Sequence, residues 1–413
     1  MPVFSRVLAA FVGGFCFATA YAAPPVYTLD ALQQMALGSN RALAAARDGV
    51  EATAAGIVTA RAYPNPEAEL LFGQVSGRLP GPVAGNARTL AITQRIDNPW
   101  QRDARISAAE AAARGSSADL RSTENRLLAD LRIAFYAMLQ RQEELQAARE
   151  DLELADSIRD KVKVRVDVGE APRFELIRAE AEWLNAQKAE QSAALRTRQA
   201  QVAIRALVAE ELPAEFGIAG DWSEPRALPP LESLVERLLQ ENPELVALNA
   251  AADRADQQLR LERARRMPEV AVRAIQDREP ELDNNRIGLT VTIPIWDRRA
   301  GPVAEATAQL SRSRNSLEHR RFTLSQALES AWRQYDIARN QVTALEGGIV
   351  REAESALRVA ESAYRFGERG ILDLLDARRV FRAVRNDLIV ARFDLEAARI
   401  EVDRLLASRT LSE

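Results

Sequence analysis

Few side chains in this sequence could do chemistry beyond carrying charge. His319 is the only histidine, Cys16 is the only cysteine, and there are four methionines. That set gives no cluster of nitrogen and sulfur ligands for a transition metal. No nucleophile–base pairing, phosphate-cradling loop or metal motif occurs, so the chain is expected not to be an enzyme and to use no cofactor. Acids are plentiful. Asp373 and Asp376 stand three apart, a spacing that puts both carboxylates on one helix face. Taken alone, such a pair is an ordinary solvated face. Its setting makes it a candidate: the stretch from Tyr364 through Arg365, Phe366, Gly367, Glu368, Arg369 and Gly370 to Arg378 is a glycine-bearing turn between two long amphipathic patterns.

An earlier stretch has the same plan. Setting Gly169 on Gly367 also aligns Glu170 with Glu368, Leu176 with Leu374 and Ala179 with Ala377. The turns lie roughly half a chain apart, so the protein reads as one unit used twice. The other elements must position these two turns.

Composition says what those elements are. The 413 residues are rich in Ala, Leu, Glu, Arg and Gln, with 6% aromatics and 28% charged residues of both signs. Long helices and coiled coils have this make-up. A formal charge of −4 offers no electrostatic case for nucleic acid. Residues 1-22 read as a signal peptide, with Arg6, an apolar or small run over residues 7–17, and Ala20-Tyr21-Ala22 as a cleavage site. Cys16 lies inside that run, so a mature chain would carry no thiol. No stretch approaches 18 consecutive apolar residues, so no transmembrane helix is expected; a β-barrel remains open.

Along the chain, residues 23-211 form the first repeat, 212-230 a Pro- and Gly-rich linker, and 231-413 the second repeat. In the first, a helix runs from the N-cap Thr28 to about Ala62 and stops at Tyr63-Pro64. A hairpin over about 67-97 follows, with half-polar alternation. A proline-free helix from about Trp100 to Asp167 carries Leu131, Met138, Leu145 and Leu152 seven apart, a coiled-coil seam ~100 Å long. After the turn at 168-174, a helix runs from Phe174 to Ala209. The second repeat predicts a helix over 231–266 with Asn242-Pro243 as an irregularity, and a hairpin over about 269-296 with a polar loop at 277–285. A long helix over 302–366 follows, with Leu328, Tyr335, Val342, Ile349, Ala356 and Ala363 seven apart and a weak point at Gly347-Gly348. After the turn at 366-371, a last helix ends at Leu406. The fold class is mainly α with a small β part: long antiparallel coiled-coil helices plus four strands per chain. Four strands cannot close a barrel, so assembly is expected.

The duplicated helix–hairpin–long helix–turn–helix unit and its two glycine turns resemble the TolC family of outer-membrane efflux proteins over the whole mature chain. The resemblance implies a homotrimer with a 12-stranded outer-membrane β-barrel and a 12-helix periplasmic tunnel. It implies outer-membrane lipid, a periplasmic adaptor protein and an inner-membrane RND-type pump as partners. It likens Asp373 and Asp376 to the aspartates ringing the periplasmic aperture, and Tyr364 and Arg369 to residues that hold the entrance closed. Gly169, Glu170, Glu175, Gly367 and Glu368 fall at helix-tip turns and adaptor contacts. Pro172 and Phe174 depart from the family's first turn. Pro64-Asn65-Pro66-Glu67 and Pro294-Ile295-Trp296-Asp297-Arg298 look most like the CzcC-type branch that serves heavy-metal exporters. Drug efflux, type I protein secretion and an exported coiled-coil scaffold without a pore remain alternatives.

Overall fold

In the computed structural model, residues 25–76, 84–208, 212–222, 224 and 226–407 are described. The expected signal peptide, with Cys16, lies outside them. The order of elements is β1 (Val26–Tyr27), α1 (Leu29–Ser39), α2 (Arg41–Arg61), β2 (Glu67–Val75), β3 (Gly85–Ile96), α3 (Pro99–Asp167), α4 (Arg173–Val208) and β4 (Gly217–Ile218). The second half has α5 (Leu231–Glu241), α6 (Pro243–Ala264), β5 (Glu269–Arg278), β6 (Asp283–Thr292), α7 (Ala300–Ala344), α8 (Val350–Arg365) and α9 (Ile371–Leu406). Among the described residues, no helix is long and apolar enough to cross a membrane.

Thr28 caps α1 as expected, accepting from the Ala31 N–H at 3.4 Å. The expected single helix to Ala62 is broken at Asn40. Its backbone is extended and its Oδ1 accepts from the N–H groups of Ala42 and Leu43, satisfying two donors that a new helix start leaves open. The amide Nδ2 donates to the Leu207 carbonyl at the end of α4. Asn242 repeats the device: Oδ1 accepts from Glu244 and Leu245, and Nδ2 donates to the Leu405 carbonyl at the end of α9. In each repeat the broken short column is pinned end to end on the terminal helix.

The 69-residue α3 is about 100 Å long and packs on α4 over one part and on α2, α6 and α9 over others. Alanines seven apart line its contacts: Ala104, Ala111 and Ala118 on α3, and Ala179, Ala186 and Ala193 on α4, are all buried. Small side chains at that period let backbones approach closely. The linker is not bare. Its β4 pairs in parallel with β1, and Phe216 is buried against Tyr27, with ring centroids 5.9 Å apart. Two-residue strands leave no periodic signal to read.

The four-stranded sheet has the order β2-β3-β5-β6, antiparallel throughout, so β3 and β5 join the repeats. Its strands of 9, 12, 10 and 10 residues suit a tilted membrane crossing. The expected polar loop at 277–285 shrinks to residues 279–282, because Asp277 and Arg278 pair with Asn284 and Asp283 inside the ladder. Polarity there marks a wet face rather than a turn. Conversely, β6 ends at Thr292 and residues 293–296 lie beyond it.

Cross-strand partners share a face. One face carries Ala68, Ile92, Ala274 and Ile287 in one row, and Ile96, Val270 and Val291 in another, with Leu70, Phe72, Leu90, Val272 and Leu289. The other carries Glu67, Glu69, Thr89, Thr93, Arg95, Arg273, Asp277, Arg286 and Thr290. Its charges are tied in the ion pairs Arg95–Glu67 (3.0 Å), Arg273–Glu69 (2.7 Å) and Arg286–Asp277. Ile287, Leu289 and Phe72 are exposed in the single chain. An apolar face with no cover and a charged face behind it define a sheet made for lipid on one side and water on the other.

The second long helix departs from the α period. A π turn at Leu345–Ile349 separates α7 from α8, where Gly348 leaves helical geometry. A π turn inserts one residue. The seam Leu328, Tyr335, Val342 is buried as expected, but Ile349 and Ala356 are exposed; Leu357 and Tyr364 are buried instead. The seam has advanced by one position.

Candidate functional site

The two expected turns are built alike. At the end of α3, Gly169 has φ +81°, its N–H donates to the Val166 carbonyl, and Glu170 N–H donates to Arg165. At the end of α8, Gly367 has φ +76°, with the same bonds from Gly367 to Tyr364 and from Glu368 to Ala363. This is the Schellman closure, which needs a left-handed residue just past the helix; a side chain there would be strained. Glu170 and Glu368 sit exposed at equivalent places on the two tips.

Below the turns the repeats meet in one small core. Ile158 and Val162 of α3, Ala179 of α4, Leu357 and Tyr364 of α8, and Ile371 and Leu374 of α9 pack together. Tyr364 is 8% exposed, with the Arg165 guanidinium 5.2 Å from its ring centroid. Burial raises the pKa of its hydroxyl, the Glu175 carboxylate beside it adds to the shift, and Arg165 opposes. Tyr364 and Glu175 of opposite repeats are thus brought together. Arg369 pairs instead with Asp373, at 3.5 Å on the surface. Asp376 pairs with Arg379, also at the surface. Both aspartates lie on the exposed side of α9, whose buried side carries Ile371, Leu374 and Arg378. His319 is exposed. Among the described residues, no three His, Cys, Asp or Glu side chains are grouped to hold a metal ion.

Sequence reasoning missed the strap above this core. Arg378 is buried, with its side chain 2% exposed, and grips Asp151 of α3 through Nε at 3.0 Å and Nη2 at 2.8 Å, with a further bond to the Asp151 carbonyl. Arg382 reaches Asp151 and Glu182, each at 3.2 Å. Arg385 reaches Glu150 at 2.6 Å. Glu150, Asp151, Arg378, Arg382 and Arg385 line a cavity of about 470 Å³ between α3, α4 and α9, with Leu357 of α8 at its edge. The available signal was three arginines at i, i+4 and i+7 on one helix face; their partners are more than 190 residues away. Also missed were two matched exposed rings, Phe174 under Arg178 (4.6 Å) and Phe366 under Arg365 (5.1 Å), one on each tip.

A duplicated helical hairpin with closed tips, carrying a sheet apolar on one face and charged on the other, defines a channel-tunnel subunit. The chain belongs to the family described as outer membrane efflux protein, which it matches over residues 32–210 and 234–408. It is 27% identical to the cobalt-zinc-cadmium resistance protein CzcC of Cupriavidus metallidurans, over 92% of this chain and 90% of that one. It is 27% identical to the nickel-cobalt-cadmium resistance protein NccC of Alcaligenes xylosoxydans xylosoxydans, over 75% of this chain and 70% of that one. It shares its fold with the solved channel CusC at a TM-score of 0.80 and 17% identity, covering 94% of this chain and 96% of that one. The protein is an outer-membrane efflux channel subunit that extends into the periplasm.

Proposed function

We propose that the chain assembles as a homotrimer and serves as the passive exit duct of a tripartite heavy-metal efflux system, with a periplasmic adaptor and an RND pump as partners. One observation carries the assembly: among the described residues, the sheet has two free edges, β2 and β6, and one uncovered apolar face. Three copies joined edge to edge give twelve strands, enough to enclose a channel. Likeness to two heavy-metal resistance proteins favours metal cations over drugs or secreted proteins as cargo. The described residues hold no metal-ligating cluster, so selectivity is assigned to the partners.

In this reading Asp373 and Asp376 of three protomers ring the aperture and concentrate negative potential there. Arg369 and Arg379 occupy these carboxylates in the single chain, but exposed pairs are worth only about 0–1 kcal/mol and are readily exchanged. Tyr364, held against Glu175, and Arg369 keep the entrance shut. Gly169, Glu170, Gly367 and Glu368, with Phe174 and Phe366, offer the adaptor contacts. The test is expression in a metal-sensitive Gram-negative host lacking its own channel, together with the adaptor and pump of a cobalt-zinc-cadmium system. Restored tolerance to cadmium, zinc and cobalt, lost in Asp373→Ala plus Asp376→Ala, is the expected result. Restored tolerance to antibiotics alone, with a drug pump and adaptor, would overturn the metal assignment.

A further inference from the structure

We propose that the junction between sheet and helices is a docking collar for anionic phospholipid headgroups of the periplasmic leaflet. This rests on the outer-membrane placement of the family and goes beyond the exit-duct reading. The apolar face of the sheet ends at the row Ile96, Val270 and Val291. Just past that row, both repeats place a tryptophan at the start of a long helix: Trp100 in the first turn of α3, and Trp296 ahead of α7. Trp296 is 95% exposed, and Trp100, Tyr63, Ile293 and Ile295 are exposed with it. Aromatic girdles are general in outer-membrane barrels; here a cluster of arginines stands beside the rings.

Residues 262–267 and 293–299 hold five arginines against two acids, Glu262 and Asp297, in a chain of net charge −4. The acids are already committed. Glu262 is buried and takes Arg265 at 2.8 Å and Arg299 through Nε at 3.0 Å and Nη2 at 2.5 Å; Asp297 accepts the Arg299 N–H at 2.8 Å. Arg299 adopts the left-handed region, φ 53°, a conformation uncommon for a residue with a side chain. Its double tie to Glu262 holds the 296–299 segment against the last turn of α6. Arg266 and Arg298 are exposed and, among the described residues, form no ion pair. The collar is tied rather than loose: Gln101 donates to the Ala264 carbonyl, and Arg105 to those of Ala60 and Ala62. A rigid rim with exposed indoles beside unpaired guanidinium groups, continuous with a lipid-facing surface, matches a phosphate-bearing interface.

The test uses the purified trimer in nanodiscs of phosphatidylcholine alone or mixed with phosphatidylglycerol, with retained lipid counted by native mass spectrometry. Phosphatidylglycerol is expected to be enriched, and Arg266→Gln plus Arg298→Gln to reduce the enrichment by roughly fivefold per arginine, about twenty-five-fold for the pair. Raising the salt should erase the wild-type preference, a readout independent of any variant's folding. Brominated phosphatidylcholine should quench tryptophan emission less in Trp296→Phe than in the wild type. Equal retention of the two lipids, or a preference untouched by salt and by the double variant, would overturn the proposal. Quenching unchanged in Trp296→Phe would assign this surface to a neighbouring protomer instead.

Discussion

Deleting both Gly347 and Gly348 should rotate the α8 tip. The π turn at 345–349 supplies one residue beyond the α period. Removing one residue lets α7 run into α8 as one α-helix with the downstream phase kept, so that Val342, Val350, Leu357 and Tyr364 fall evenly seven apart. Removing two leaves the chain one residue short, turning everything beyond by about 100° and shifting it by about 1.5 Å. In the double deletion Leu357 and Tyr364, now 7% and 8% exposed, would leave the tip core, and Arg358 and Arg365 would turn toward it. Burying a large side chain is worth about 1.5–3 kcal/mol, so the tip loses about 3–6 kcal/mol. Single-channel conductance in a planar bilayer is the assay, with amide hydrogen exchange over residues 353–366 alongside. On the proposed reading of the tip as the entrance, the double deletion should raise conductance and lower protection there. Deletion of Gly348 alone is the control, because it keeps the phase and should behave as the wild type. Wild-type conductance and protection in the double deletion would refute the register argument; so would an equal effect of the single deletion.

Three further outcomes are expected. Asp151→Asn leaves the buried Arg378 guanidinium without its counter-charge and should cost about 3–5 kcal/mol, read as a lowered thermal midpoint, whereas Arg378→Met plus Asp151→Leu should recover most of it. Asn40→Ala and Asn242→Ala each remove a helix cap and should each cost about 1–2 kcal/mol, and the two effects should add because the sites share no partner. Tyr364 has a raised pKa in the folded tip, caused first by burial. Its contribution to stability is therefore fully present below its unfolded value and is lost as pH rises through the folded one. Burial raises the pKa of Tyr335 as well, so ultraviolet titration should find two late-ionising tyrosines, and Tyr364→Phe should remove one of the two.

Much of this architecture was legible in the residues. Heptad spacing marked the long helices because every buried position of a coiled coil recurs locally. Pro64, Pro268 and the linker prolines marked stops because proline removes a donor wherever it stands. Gly169 and Gly367 marked the tips because a left-handed closure excludes most other residues. The faces of the sheet followed from alternation, except where Asp277 and Asn284, polar on a water-facing side, read as loop.

What the sequence did not disclose was phase and partnership. Asn40 interrupts no apolar period, and its capping role exists only because the α4 terminus lies beside it. The one-residue advance at Gly348 is invisible to a pattern count that assumes a constant period, yet it decides that Tyr364 rather than Ala363 enters the core. The Arg378–Asp151 strap joins residues 227 apart in the chain. Local spacing thus determined which elements form and in what order, because hydrogen bonding and side-chain periodicity act over a few residues. Only tertiary packing decided which charges are buried together and which ring closes the tip, because those choices are made between segments that sequence distance does not relate.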